Sequence, residues 1–271
     1  MEGSSKSKIA DGSWEDIKLP ASDDLGGRQA QYISVISGGN DANCVSYITG
    51  TWPDGLKESW MGDCGYFCGG PWYPAHTISN VQDDYTPECT WIDSDRSNGI
   101  GIKKLGIHIT DFTPTKARLD AYQNDTLLVC DSKPCFWIYG DIDMDTCLPY
   151  FDPILKFKQK TLLDVDSTTF TGPRSQSSVG RLITSNHTNH SANELCASDN
   201  SVGPDFVSHQ EGVYCDMENK QAYPLCLLNP SNSTTVEICF DLEISVLVNQ
   251  KPINARDKSL PNKEYHTVEY W

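Results

Sequence analysis

Residues 236–248 read VEICFDLEISVLV. Apolar side chains stand at Val236, Ile238, Phe240, Leu242, Ile244, Val246 and Val248. Successive side chains of a strand point to opposite faces, so a period of two marks a strand with one buried face. This thirteen-residue alternation is the longest in the chain and reads as one extended strand. The same period recurs on its N-terminal side, where Ile100, Ile102, Leu105, Ile107 and Ile109 alternate with Gly, Lys and His. Shorter runs are QYISVIS, CVSYITGTW, CFWIYGDI, ILKFK, GRLITS and TVEYW.

Turn signals separate these runs: Ser37-Gly38-Gly39-Asn40, Pro53-Asp54-Gly55, Asn98-Gly99, and Met217-Glu218-Asn219-Lys220 between Tyr214 and Tyr223. Thr115 to Asn124 is the one stretch that suggests a short helix. The expected fold class is therefore all-β: an antiparallel β-sandwich, jelly roll or closed barrel of roughly ten strands, stapled by disulfides. No repeat of roughly 40 to 50 residues is visible, which disfavours a propeller. A chain of 271 residues can bury a large core as one domain. That domain is expected over 12–271, after a leader or disordered N-terminus at 1–11. Thr168 to Asn200, rich in Ser, Thr, Asn and Gly, reads as a long mobile loop.

Eleven cysteines stand at Cys44, Cys64, Cys68, Cys89, Cys130, Cys135, Cys147, Cys196, Cys215, Cys226 and Cys239. None forms the C-x-x-C knuckle of a zinc site. Dispersed cysteines without metal spacing indicate disulfides and an oxidising compartment, so the chain is expected to be secreted or lumenal. Cys130 and Cys135 are close enough in sequence for a local bridge. The odd count leaves one thiol over, for a free sulfhydryl or an intermolecular bridge. Four N-x-[ST] sequons, at Asn124, Asn186, Asn189 and Asn232, lie in polar stretches and point to N-glycosylation. The opening MEGSSKSK lacks the positive-then-apolar pattern of a signal peptide. The cysteines and sequons imply that such a segment was removed or replaced.

The formal charge of −16 repels phosphate backbones and anionic lipid, so nucleic acid and membrane surfaces are poor partners. No apolar run approaches the roughly 20 residues of a membrane helix. Nor is there a G-x-S-x-G elbow, a Walker loop or a dinucleotide fingerprint, so no cofactor is expected. Asp141, Asp143 and Asp145 could share a strand face towards calcium, but Thr146 stands where an EF-hand requires glycine, and an acidic edge is the plainer reading. His187 and His190 would need a third ligand to hold zinc.

The densest unusual stretch runs from Trp52 to Trp91. Aromatics dominate cores, yet Gly69-Gly70-Pro71-Trp72-Tyr73-Pro74 makes a poor strand and reads as a loop. A loop of this kind, pinned by disulfides, could form a pocket wall or a stacking platform. On that reading Trp60, Trp72, Tyr73, Trp91 and Arg96 bind substrate, while His76, Tyr66 and Asp93 are the catalytic candidates. No metal ligands are assigned. In Asp93-Ser94-Asp95-Arg96-Ser97-Asn98-Gly99 a turn is the favoured reading, with Asp93 and Arg96 at a site mouth as the alternative.

Three segments, CVSYITGTWPDG, GDCGYFCGGPWYPA and YTPECTWIDSDRSNGIGIKKLGIHITDF, together with CDMENKQAYPLC and ICFDL, resemble a group of secreted, cysteine-rich fungal proteins. The resemblance covers about Gly12 to Leu242. The group includes hetero-Diels–Alderases of tropolonic sesquiterpene (meroterpenoid) biosynthesis. For this chain it implies a cofactor-independent pericyclase that joins a tropolone o-quinone methide to a humulene-type olefin as a dihydropyran. Its partners would be small apolar or aromatic substrates, with a homodimer left open. A pericyclic step needs orientation rather than a nucleophile or metal. A secreted carbohydrate-binding or cell-wall module, or an effector without enzyme activity, remains the alternative.

Overall fold

The computed structural model describes residues 3–6, 8–20, 29–76, 85–113, 115–125, 128–131, 136–140, 178–226, 238–249 and 260–271. The described residues fall into two compact units: those up to 76 and from 87 to 140, and 85–86 with those from 178 on. The chain is mostly β, with fifteen short strands in five sheets among the described residues.

The first unit contains β1 (Tyr32–Ile36), β2 (Asn43–Val45), β3 (Tyr47–Thr51), β4 (Lys57–Met61), α1 (Asp63–Phe67), β5 (Trp72–Pro74), β6 (Glu88–Ile92), β7 (Lys104–His108), α2 (Lys116–Asn124), α3 (Leu128–Asp131) and β8 (Phe136–Tyr139). β3 and β4 form the hairpin expected at Pro53-Asp54-Gly55. Gly55 adopts φ 87, and the Asp54 carboxylate accepts the Leu56 N–H at 3.0 Å. β1, β7 and β8 make one antiparallel sheet, and β2, β6 and β5 another. The alternation that starts at Ile100 is realised as burial: Ile100, Ile102, Leu105, Ile107 and Ile109 are all buried. Thr115 caps α2, its hydroxyl accepting the Arg118 N–H, so the one expected helix is present. α1 sits so close to β6 that a Cβ on Gly65 would lie 1.9 Å from the Thr90 hydroxyl oxygen. Glycine is there for close approach.

The second unit contains β9 (Arg181–Ser185), α4 (Ala192–Ala197), β10 (Asp205–Ser208), β11 (Val213–Asp216), β12 (Gln221–Pro224), β13 (Ile238–Asp241), β14 (Val246–Asn249) and β15 (Thr267–Tyr270). Five strands form one sheet in the order β12-β11-β10-β9-β15. The purely antiparallel expectation fails here: β9 pairs in parallel with both β10 and β15. Parallel neighbours need a crossover, and the segment carrying α4 supplies the one from β9 to β10. The expected mobile loop is corrected in the same place. Its part from 178 to 200 is ordered into β9 and α4, with Ser191 capping the helix through the Glu194 N–H. A Ser/Asn-rich composition concealed this, because its polar groups are satisfied within the fold: Ser185 by His190, Asn189 by Thr86 and Ser191 by Glu211. The part from 168 to 177 lies outside the described residues.

The long alternating run is also corrected. From Ile238 on it is two strands, β13 and β14, joined by a turn over 242–245. The Asp241 carboxylate accepts the N–H groups of Glu243 (2.9 Å) and Ile244 (3.4 Å), and Ser245 adopts φ 54. Four turn residues preserve the parity of the alternation, so the pattern cannot distinguish one strand from a hairpin. Leu242 and Ile244 are exposed at the tip. Leu182, Val207, Tyr214 and Phe240 form the core beneath, and Tyr214 stacks on Phe240 at 4.0 Å.

Among the described residues four disulfides join Cys44 to Cys89, Cys68 to Cys130, Cys196 to Cys215 and Cys226 to Cys239. They close loops of 45, 62, 19 and 13 residues, each contributing about 3–4 kcal/mol in the loop-entropy model. The expected Cys130–Cys135 bridge is wrong. Cys130 is tied to Cys68, which follows α1, because contact between α1 and α3 brings them together. Cys64 lies in α1, and Cys135 and Cys147 lie outside the described residues.

Candidate functional site

The aromatic segment is where the sequence placed the site. Trp60 points inward from β4, is fully buried and stacks on Phe136 at 5.2 Å. Its indole N–H has no hydrogen-bond partner among the described residues. Trp72 and Tyr73 form β5, which is a buried strand and not the loop expected there. Pairing with β6 makes it so: Trp72 stands opposite Thr90 and Tyr73 opposite Cys89, which is bridged to Cys44. Tyr66 is half-buried and meets Trp72 edge-on at 4.8 Å. Trp91 is half-buried on β6, and His76 is exposed. The segment thus brings Tyr66 and Trp72 together, but Trp60, Trp72 and Tyr73 serve as core.

Asp93 is also taken up by structure. Its side chain is buried, and its two oxygens accept the N–H groups of Arg96 (3.1 Å) and Asn98 (2.9 Å). Burial pushes its carboxyl up from the ordinary range despite the Asn98 bond. Arg96 adopts φ 63 with its guanidinium on the Gly140 carbonyl. Ser97 and Asn98 then bond the Asn40 carbonyl, and Ser94 bonds the Gly39 carbonyl. Two of the expected turns, at 37–40 and 93–99, are therefore strapped together.

The second unit holds a charged cluster that sequence reasoning missed. Asp205 on β10 and Asp216 on β11 are both fully buried. The Lys263 ammonium reaches between them, 3.1 Å from Asp205 and in direct contact with Asp216. Tyr265 donates to Asp205 at 2.7 Å, and its oxygen lies 2.7 Å from the Tyr214 hydroxyl. Burial opposes ionisation of Asp216, but bonds from Lys263 and Asn219 outweigh it and hold the carboxyl below its usual range. For Tyr265, burial and then the Asp205 charge push the phenol far above its usual value, so it remains a protonated donor. Lys263 and Tyr265 also line an open concavity of about 460 Å³, alongside Ile244, Ser245, Val246 and Val268. A signal did exist: PDFVS and VYCD each set one acid in an apolar strand, which demands a cationic partner.

A third polar group lies behind β9. His190 is buried, with its ring nitrogens 2.7 Å from the hydroxyls of Ser185 and Thr86. Ser185 and Thr86 are buried too, so both ring nitrogens of this histidine are satisfied inside the fold. Asp141, Asp143, Asp145 and Asn232 lie outside the described residues.

No family model matches this chain, and neither a curated protein nor a solved structure gives a significant match.

Proposed function

We propose that the chain is a secretory-pathway protein acting as a cofactor-independent hetero-Diels–Alderase on small apolar or aromatic substrates. Its four disulfides support the oxidising compartment. The reaction comes from the resemblance to the fungal group. The observation that supports its chemistry is the concavity in the second unit, where Ile244, Val246, Val268 and Tyr265 stand beside Lys263, Glu243, Asn262 and Glu264. Ligand sites commonly combine apolar walls with a few fixed polar groups, in volumes of about 300–1,000 Å³.

In this reading Lys263, which lines the concavity, donates a hydrogen bond to the departing hydroxyl of a hydroxymethyl tropolone, and solvent supplies its proton. The C–O bond breaks, water leaves, and loss of the ring hydroxyl proton gives the o-quinone methide. Asp205 accepts the Tyr265 proton and fixes that ring in the wall. The olefin then adds across the heterodiene, forming one C–C and one C–O bond. Holding the two reactants together can lower the barrier by about 7–11 kcal/mol at most. The alternative of a sugar-binding platform asks for exposed aromatic rows, and Trp60, Trp72 and Tyr73 are buried.

The test is incubation with a hydroxymethyl tropolone precursor and humulene, with chiral chromatography of the dihydropyran. The protein is expected to give one stereoisomer faster than buffer. Val268→Trp, which narrows the concavity, is expected to lower the rate by about 10²-fold, the cost of misplacing a reactant. Equal rate and equal selectivity with and without protein would sink the reading.

A further inference from the structure

Two of the sequons overlap in the turn after β9: Asn186-His187-Thr188 and Asn189-His190-Ser191. The fold treats their acceptors differently. Asn186 is exposed. Its backbone is anchored, with the N–H on the Trp271 carbonyl (3.3 Å) and its carbonyl accepting from Gln210 (3.1 Å). No hydrogen bond holds its carboxamide among the described residues. Asn189 is half-buried, and its Nδ2 donates both to the Thr86 carbonyl (2.6 Å) and to the Thr86 hydroxyl (2.7 Å). Thr86 is itself buried and bonded to buried His190.

An N-glycan takes the place of one Nδ2 proton and sets a sugar ring against that nitrogen. At Asn189 it would remove one of the two bonds to Thr86 and force the ring into the space that Thr86 fills. At Asn186 it removes no bond of the fold. We infer that Asn186 is the glycan-bearing member of the pair, and that Asn189 is an unmodified bolt holding residue 86 against the β9 turn. This rests on the secretory-pathway reading above. The oligosaccharide comes from a lipid-linked diphosphate donor: the C1–O bond to diphosphate breaks, the C1–Nδ2 bond forms, and one amide proton leaves. Because this transfer acts on unfolded chain, both sequons are offered to it. Only chains whose Asn189 is left bare go on to make the native Thr86 contacts.

The test is site-resolved glycopeptide mass spectrometry of the full chain secreted from a eukaryotic host, with disulfides mapped on the same sample. Asn186 is expected to be occupied and Asn189 bare. Asn186→Gln is expected to remove one glycan and leave the melting temperature unchanged in the enzymatically deglycosylated protein. Asn189→Gln is expected to keep the Asn186 glycan and to lower that temperature by several degrees. A folded, secreted protein with sugar on Asn189 overturns the inference. So does a bare Asn186 beside a glycosylated Asn124 and intact disulfides, a result that spares the secretory reading. Bare sequons throughout, with reduced cysteines, defeat both.

Discussion

The aromatic segment of the first unit and the charged cluster of the second are opposites in sequence and in structure. The first is conspicuous: Trp60, Tyr66, Trp72, Tyr73 and Trp91 crowd into a short stretch. The second is assembled from single residues, Asp205, Tyr214, Asp216, Lys263 and Tyr265, scattered among ordinary strands. Yet the conspicuous group is largely core, and the inconspicuous one borders an open concavity. Large aromatics gain most by leaving water, so their density marks burial first. Buried charge is costly without a purpose or a partner, so its placement says more about a site.

The contrast breaks most readily at Trp72. If it is core, Trp72→Ala should cost about 3–5 kcal/mol in denaturant unfolding. A variant that melts normally but loses ligand binding would return the aromatic segment to the status of a site.

Lys263→Met tests the other side. It leaves the Asp205 and Asp216 carboxylates facing each other without a counter-charge, at a cost of about 3 kcal/mol near neutral pH. The pH dependence has a definite sign. Asp216 is held below its unfolded value, so its contribution is present above about pH 4 and disappears as the solution is acidified through the folded value. Tyr265 is raised, so its contribution is complete below about pH 10 and is lost as pH rises further. Urea titrations across pH should show the acid-side loss in the wild type and a weaker one in Lys263→Met.

The smallest effect is expected at Trp60→Phe. The indole N–H it removes has no partner among the described residues, and Phe can keep the stacking on Phe136. The cost should be about 1–2 kcal/mol, set by the cavity the smaller ring leaves, and a loss above about 3 kcal/mol would count against an unbonded N–H.

Much of the β character was legible because alternation reports which side chains face inward. The strand after Ile100, the turn at Pro53-Asp54-Gly55, the turn between Tyr214 and Tyr223, and the helix at Thr115 all follow from local chemistry. The hairpin inside 236–248 did not, because a four-residue turn leaves the alternation in phase. β9 and α4 hid in a polar stretch whose Ser185, Asn189 and His190 side chains are satisfied by partners distant in the chain or across a turn. Nothing local distinguishes such residues from a solvated loop.

By itself the sequence determined a mostly β chain with cysteines suited to disulfides rather than zinc, since strand period and metal spacing are local properties. Tertiary structure alone decided which cysteines meet, that Cys130 reaches back to Cys68, that β9 lies parallel to its neighbours, and that Lys263 closes on two buried aspartates. Each of these depends on loop closure between distant segments. The free energy of such closure is set by everything the chain buries at once, and no single stretch of residues records it.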